Sequence, residues 1–349
     1  MENKKVLLGM SGGVDSSVSA ILLKKQGYEV IGITMELYSN QDIGDSKYDD
    51  VKKICKSLGI KHYIFDFRKE FNEKVIKDFI SCYADCKTPN PCIECNKYMK
   101  FGLMYQKAKE LGCEYIATGH YAKTEYSEKY GKYVLKKSNA GKKDQSYVLW
   151  SVPEELIKHI IFPLSDFESK EQIREIAKNS NLEVANKPDS EDICFIPDKN
   201  YKKFLENNSN IRPKKGNIVN SKGKILGIHN GLYNYTIGQR KGLGISNPVP
   251  LFVLGFNKEK NEVIVGEEKE IYKKEILVTD INLLLMEKID DWIYVEVKTR
   301  YSTKQAKAKI KQDNKLIKII FDEPQRAITP GQSAVFYIDD IVLGGGKII

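Results

Sequence analysis

The sequence predicts an α/β protein with a parallel-sheet domain at the N-terminus, a small mostly-β central unit and a C-terminal β-barrel. Three observations predict it. Over the first two hundred residues short apolar runs alternate with longer helical patterns, the mark of βαβ units with helices on both faces of a parallel sheet. Near residue 205 the runs become short and alternating, parted by turn formers such as NSKG, NPVP and NKEKN. Near Val278 longer strand patterns follow at the spacing of a small antiparallel barrel. A chain of 349 residues has room for two or three domains at roughly 150 residues each. The boundaries are set at 1–205, 206–275 and 276–349.

The elements follow in order. KKVLLGM (4–10) reads as a buried strand, and Asp15–Gln26 as a helix with Val18, Ile21 and Leu22 on one face. VIGITM (30–35) is a second strand, and after a polar loop VKKICKSL (51–58) is helical. YIFDF (63–67) reads as strand, 71–83 and 99–112 as helices, and YIATG (115–119) as strand. Beyond 205, KKGNIVNSKGKILGIH (214–229) opens the β-rich centre. DWIYVEVKTRY, KAKIKQ, LIKIIF and SAVFYIDDIVLGGG then supply the barrel.

With 41% hydrophobic and 30% charged residues, composition excludes disordered and collagen-like chains. No run reaches the ~18 apolar residues of a membrane helix, and the N-terminus is too weakly apolar for a signal peptide, which points to the cytoplasm. The net charge of +9 permits a polyanionic partner without naming one. Of seven cysteines, Cys82, Cys86, Cys92 and Cys95 cluster, whereas Cys55, Cys113 and Cys194 stand apart. In a reducing compartment such a cluster indicates metal binding or thiol chemistry rather than disulfides.

The strongest chemical signal is SGGVDSS at Ser11–Ser17, between a buried strand and a helix. Small residues let backbone amides close on an anion, and the helix N-terminus adds positive partial charge, so the loop can cradle phosphate. Asp15 is suited to hold Mg²⁺ on the phosphates, and Ser16 and Ser17 add hydroxyl donors. Neither a Walker A sequence nor a dinucleotide GxGxxG occurs here.

The loop resembles the PP-loop of the N-type ATP pyrophosphatases, which split ATP between its α and β phosphates and adenylate a substrate oxygen. Within that superfamily the choice comes from TPNPCIECNK (88–97), ATGHYA (117–122), KDQSY (143–147), KPDSEDICFI (187–196), YTIGQRKGLG (235–244) and TPGQSA (329–334), in that order. Together they resemble the tRNA-specific 2-thiouridylase family (MnmA/TrmU type), from Val6 to the C-terminus. That resemblance implies 2-thiolation of the tRNA wobble uridine: ATP adenylates the uridine O2, a cysteine persulfide delivers sulfur to C2, and AMP and pyrophosphate leave.

Carried over residue by residue, the resemblance makes Gly9, Met10, Ser11, Gly12, Gly13, Val14, Asp15, Ser16, Met35 and Gly119 the ATP-binding set. Cys194 becomes the persulfide carrier, and Cys95 the second thiol that liberates sulfur and pairs with it. The bare residues fit two unrelated core cysteines equally well; each, however, sits in a polar, turn-rich segment able to face a cleft, and thiolates can carry and exchange sulfur. Asn90, Pro91 and Cys92 match the target-base segment. His120, Lys143, Asp144, Gln145, Arg300, Tyr301 and Gln332 match tRNA contacts, and a cysteine desulfurase or sulfur-carrier protein is the implied donor. Lys307, Lys309 and Lys311 alternate with Ala306, Ala308 and Ile310, giving one cationic strand face for a phosphate backbone or for solvent.

One position departs from the pattern, because some members carry aspartate where Cys92 stands. The loss leaves two routes open: a cluster-free persulfide mechanism, which is favoured, and an iron–sulfur cluster on Cys92, Cys95 and Cys194. Two other classes also fit parts of the chain. One is a PP-loop synthetase acting on a small metabolite. The other is a non-enzymatic RNA-binding module with zinc on Cys82, Cys86, Cys92 and Cys95.

Overall fold

The computed structural model describes residues 4–38, 48–186 and 192–349. Val6, Leu7 and Leu8 are completely buried, as expected of a strand covered on both faces. They lie on β1 (Lys5–Gly9), which leads through a tight loop into α1 (Val14–Lys25) and β2 (Glu29–Glu36). Then come α2 (Asp49–Ser57), β3 (Lys61–Asp66), α3 (Arg68–Phe71), a π-helical stretch Asn72–Ile76 and α4 (Lys77–Ala84). α5 (Pro91–Glu94), a second π-helical stretch Cys95–Leu103 and α6 (Met104–Glu110) lead to β4 (Tyr115–Ala117). A hairpin, β5 (Ala122–Ser127) and β6 (Lys132–Lys137), precedes β7 (Ile160–Ile161) and α7 (Lys170–Asn179).

The sheet runs β3-β2-β1-β4-β7, parallel throughout. Alternate residues feed opposite faces. Leu7, Ile31, Ile33 and Ile116 pack with Phe101, Met104 and Tyr147 on one side; Val6, Leu8, Val30 and Ala117 pack with α1 and α7 on the other.

After α8 (Tyr201–Asn208), β8 (Lys215–Asn220), β9 (Ile225–Asn230), β10 (Phe252–Asn257) and β11 (Glu262–Gly266) form a separate four-stranded sheet. The last six strands are β12 (Tyr272–Leu283), β13 (Ile293–Lys298), β14 (Ala306–Asp313), β15 (Leu316–Arg326), β16 (Ser333–Ile338) and β17 (Ile341–Ile348). Their order is β12-β15-β14-β13-β16-β17, and pairing of β12 with β17 closes a six-stranded barrel around Val278, Val297, Ile310, Ile319 and Phe321.

Two elements differ from the sequence expectation, and a third was not foreseen. The helix expected to start at residue 99 starts at Pro91, because Asn90 caps it, its side chain accepting the Cys92 amide at 3.2 Å, and Pro91 is preorganised for the first turn. The strand expected over 115–119 ends at Ala117, leaving Thr118–His120 as a loop at the sheet's C-terminal edge. The β5–β6 hairpin joins the barrel through Ile341 and Lys136 instead of the parallel sheet. Of the motif at 187–196, residues 187–191 lie outside the described residues. Among those described, no helix is long and apolar enough to cross a membrane.

Candidate active site at the edge of the parallel sheet

The phosphate-loop candidate sits where β1 ends. Met10 is buried, its amide bonded to the Ile33 carbonyl (2.7 Å) and its carbonyl to the Thr34 hydroxyl (2.7 Å), so the loop is anchored to β2. Gly13 caps α1 without a side chain. The Ser16 and Ser17 hydroxyls donate back to the Gly13 carbonyl at 3.1 and 2.9 Å, and both residues are buried, so in this state they brace the turn rather than offer protons outward. Ser11 remains exposed.

Asp15 is held from two sides. Its Oδ1 accepts the Tyr121 hydroxyl at 2.8 Å and its Oδ2 the Lys170 ammonium at 2.5 Å. Lys170 is buried at the first turn of α7, at the positive end of a helix, where lysine is disfavoured unless a carboxylate compensates. Each Asp15 oxygen still has a lone pair, and the side chain is 32% exposed. Mg²⁺ is often bound by a single carboxylate plus substrate phosphates, so Asp15 fits that ion. Gly119 lies against this turn: a Cβ there would meet Asp15 and Ser16 atoms at 3.0–3.1 Å.

A polar chain runs onward from Gly119. His120 is buried against the rings of Phe101 and Phe162, which also contact each other. Its Nδ1 is 2.7 Å from the Thr118 hydroxyl, and Lys100 Nζ is 3.4 Å from Nε2. An ammonium can only donate, so Nε2 accepts and Nδ1 carries the proton that Thr118 receives. Burial, reinforced by Lys100, pushes the imidazole well below its ordinary pKa and keeps it neutral.

Lys100 belongs to the same π-helical stretch as Cys95, where wider turns bring residues five apart onto one side. Cys95 is buried in an aromatic cluster with Phe71, Phe79 and Phe195, not in an open turn as the sequence suggested. Burial pushes its thiol up to about 12, and the Lys100 charge opposes that rise. Cys92 and Cys194 stand close enough to Cys95 for their charges to act on it. Cys194 is exposed in a turn anchored by Phe195, whose ring lies 5.2–5.6 Å from Phe71, Phe79 and Phe204. The three cysteines are thus neighbours, one inside and two outside.

Among the described residues, no three His, Cys, Asp or Glu side chains converge as a metal site. Of the cysteines named for a cluster or for zinc, Cys95 is buried, Cys82 and Cys86 are half-buried, and Cys92 and Cys194 are exposed.

Met35, at the end of β2, is half-buried and packs against both the sheet core and the Cys95 cluster. Pro91 is buried under the exposed Cys92. The expected RNA contacts divide. Lys143 is exposed, and Tyr301 is 40% exposed with Lys298 over its ring. Asp144 is buried and accepts from the Ser138 amide (2.9 Å) and Ser146 hydroxyl (2.7 Å). Gln145 exchanges hydrogen bonds with the Tyr121 backbone (2.7 and 2.9 Å). Arg300 donates to the carbonyls of Ile237 (3.1 Å) and Ala327 (3.0 Å) and to Thr329, bolting the central sheet to the barrel. Gln332 donates to the Thr88 carbonyl at 2.8 Å. Lys307, Lys309 and Lys311 do line the barrel exterior; Lys309 covers Trp292, and Lys311 is 4.0 Å from Asp291.

Sequence reading missed Lys100, Thr118, Tyr121 and Lys170. A lysine inside the Ser169–Gln172 capping box, against the helix dipole, was the one local sign that Lys170 has an acidic partner.

Residues 4–198 match the family described as tRNA methyl transferase HUP domain, 202–267 the tRNA methyl transferase PRC-barrel domain, and 273–348 the aminomethyltransferase beta-barrel domain. The tRNA-specific 2-thiouridylase MnmA of Clostridioides difficile (strain 630) is 47% identical over 355 residues, 99% of this chain and 98% of that protein. The protein of the same name in Clostridium beijerinckii is 48% identical over 355 residues, with the same coverage. That of Acetivibrio thermocellus is 46% identical over 360 residues, the full length of both chains.

Proposed function

This chain belongs to the tRNA-specific 2-thiouridylase family, and on that premise we propose that it converts the tRNA wobble uridine to 2-thiouridine with ATP and a cysteine persulfide. One observation carries the reading: loop and thiol meet at one end of one sheet, through Gly119 on Asp15, His120 on Lys100, and Lys100 on the side of Cys95. Open α/β sheets bind ligands at that edge.

The parallel-sheet domain (1–205) is the catalytic unit, and the β-rich centre (206–275) and barrel (276–349) serve tRNA. Residues Gly9–Ser16, with Met35 and Gly119, take ATP, the loop amides facing its phosphates. Mg²⁺ on Asp15 would neutralise phosphate charge. Asn90, Pro91 and Cys92 receive the unstacked uridine. Its O2 attacks the α-phosphorus, pyrophosphate leaves, and C2 becomes electrophilic.

The terminal sulfur of the Cys194 persulfide then attacks C2 and the C2–O bond breaks, releasing AMP. Cys95 thiolate attacks Cys194 Sγ, the S–S bond breaks, and the sulfur remains on C2. The two cysteines are left as a disulfide, which a cellular thiol must reduce before a cysteine desulfurase or sulfur carrier reloads Cys194. The reducing cytoplasm supplies that thiol. Lys100 supports the Cys95 thiolate against its burial. Lys143 and Tyr301 meet tRNA directly, whereas His120, Asp144, Gln145, Arg300 and Gln332 reach it by exchanging the internal bonds they now make.

Pyrophosphate release measured with and without tRNA tests the reading. Release that requires tRNA is expected; tRNA-independent turnover would indicate a small-metabolite synthetase, and no turnover a binding module.

A further inference from the structure

The segment carrying Asn90, Pro91, Cys92 and Cys95 is gripped from outside its own domain. Thr88 donates its amide to the Pro330 carbonyl (2.9 Å), and its carbonyl accepts from Gln332 (2.8 Å). Gly331 between them has φ +89°, and a Cβ there would stand 3.0 Å from Lys87 and Thr88 atoms, so the two backbones touch where no side chain fits. Six residues on, Glu94 is buried, and its carboxylate lies 2.9 Å from the ammonium of Lys347 on β17. Asp78 on α4 and Asp280 on β12 approach the same ammonium at 3.7 and 3.8 Å.

One cation from the barrel is therefore shared by three carboxylates from three elements, and the most buried of them adjoins Cys95. Glu94 is buried, and Lys347 is the nearest cation to its carboxylate, so removing that ammonium leaves a carboxylate with little solvent around it and no close counter-charge. The raised pKa of Lys347, beyond its ordinary range because of these carboxylates, shows the same balance.

We propose that Lys347 is a positioning residue: through Glu94 it fixes the start of the Cys95 helix to the C-terminal barrel, tying the thiol's placement to the domain that grips RNA. The proposal rests on the reading of Cys95 as the reacting thiol. Losing Lys347 leaves Glu94, Asp78 and Asp280 repelling one another, and the helix start opens to water. The barrel is then more than an accessory to RNA binding, since it completes the geometry in which Cys95 works.

The test is iodoacetamide alkylation of the full-length protein, read cysteine by cysteine on peptides by mass. Cys55 and Cys113 are also buried in the catalytic domain and act as internal controls. Lys347→Met should raise the alkylation rate of Cys95 by about tenfold while Cys55 and Cys113 keep their wild-type rates, as expected for a local opening. Lys347→Arg should restore protection, and Glu94→Gln combined with Lys347→Met should alkylate Cys95 no faster than Lys347→Met alone, because both changes remove the same contact. Glu94→Gln alone, a nearly isosteric change that keeps the fold, should raise the Cys95 rate several-fold. In tRNA thiolation, Lys347→Met should lower kcat with little change in KM for ATP. An unchanged Cys95 rate in both Lys347→Met and Glu94→Gln, or a rise matched by Cys55 and Cys113, would overturn the proposal. Because alkylation needs no turnover, absence of thiolation in the wild-type protein would count against the proposed function alone.

Discussion

Gly119→Ala probes the approach of the sheet edge to the phosphate loop. The added methyl would stand 3.0 Å from Asp15 Cβ and 3.1 Å from both the Asp15 carbonyl carbon and the Ser16 nitrogen. Two of these atoms are backbone in the first turn of α1, so no side-chain rotation relieves the overlap. Ordinary contact begins near about 3.4 Å, so the turn must retreat by about 0.4 Å. Overpacking of this kind costs about 1–3 kcal/mol of stability. At a reacting centre a 1 Å misplacement costs about a hundredfold, so 0.4 Å corresponds to about sixfold in kcat/KM for ATP, or roughly 1 kcal/mol. Initial rates of tRNA-dependent pyrophosphate release across ATP concentrations read this directly, with a melting curve to show that the variant is folded. Affinity for tRNA should not change. A folded Gly119→Ala protein with wild-type kcat/KM for ATP would refute the assignment of this loop to the nucleotide.

The remaining expectations concern the cysteines. Cys194→Ser should fail to take labelled sulfur from a desulfurase, whereas Cys95→Ser should load it and form no 2-thiouridine; label retained on Cys194→Ser would contradict these roles. Cys92→Ser should lower thiolation moderately without abolishing it, and anaerobically purified protein should turn over without stoichiometric iron. Activity that tracks iron and vanishes in Cys92→Ser would replace the persulfide route with a three-cysteine cluster. Because burial holds the Cys95 thiol near about 12, its thiolate fraction, and with it the alkylation rate, should climb about tenfold per pH unit from 7 to 9 without a plateau. Lys100→Met should slow that alkylation at each pH; a plateau below pH 9, or no effect of Lys100→Met, would show that burial and Lys100 do not govern this thiol.

The order of strands and helices in the first domain was legible because both faces of its sheet are covered. Val6–Leu8 and Ile31–Ile33 therefore stand as uninterrupted apolar blocks. The barrel was legible from the spacing of its long strand patterns after Val278, and within one of them Ala308 and Ile310 face inward while the alternating lysines face out. The start of the Cys95 helix was not, because Asn90-Pro91 reads as a turn although it is also a helix-start signature, and that misreading placed Cys95 in an open loop. Its π-helical register, which sets Lys100 beside it, leaves no mark in the hydrophobic spacing. Contacts such as Asp15 with Lys170, Thr88 with Gln332 and Glu94 with Lys347 join residues far apart in the chain. No local pattern encodes them.

Mass analysis of nucleosides from tRNA incubated with the protein, ATP, Mg²⁺, cysteine and a cysteine desulfurase tests the assigned reaction most directly. The expected product is 2-thiouridine at the wobble position, dependent on ATP and absent with Cys95→Ser or Cys194→Ser. Unmodified uridine from folded, tRNA-bound protein with every component present, or 2-thiouridine formed without ATP, would contradict it.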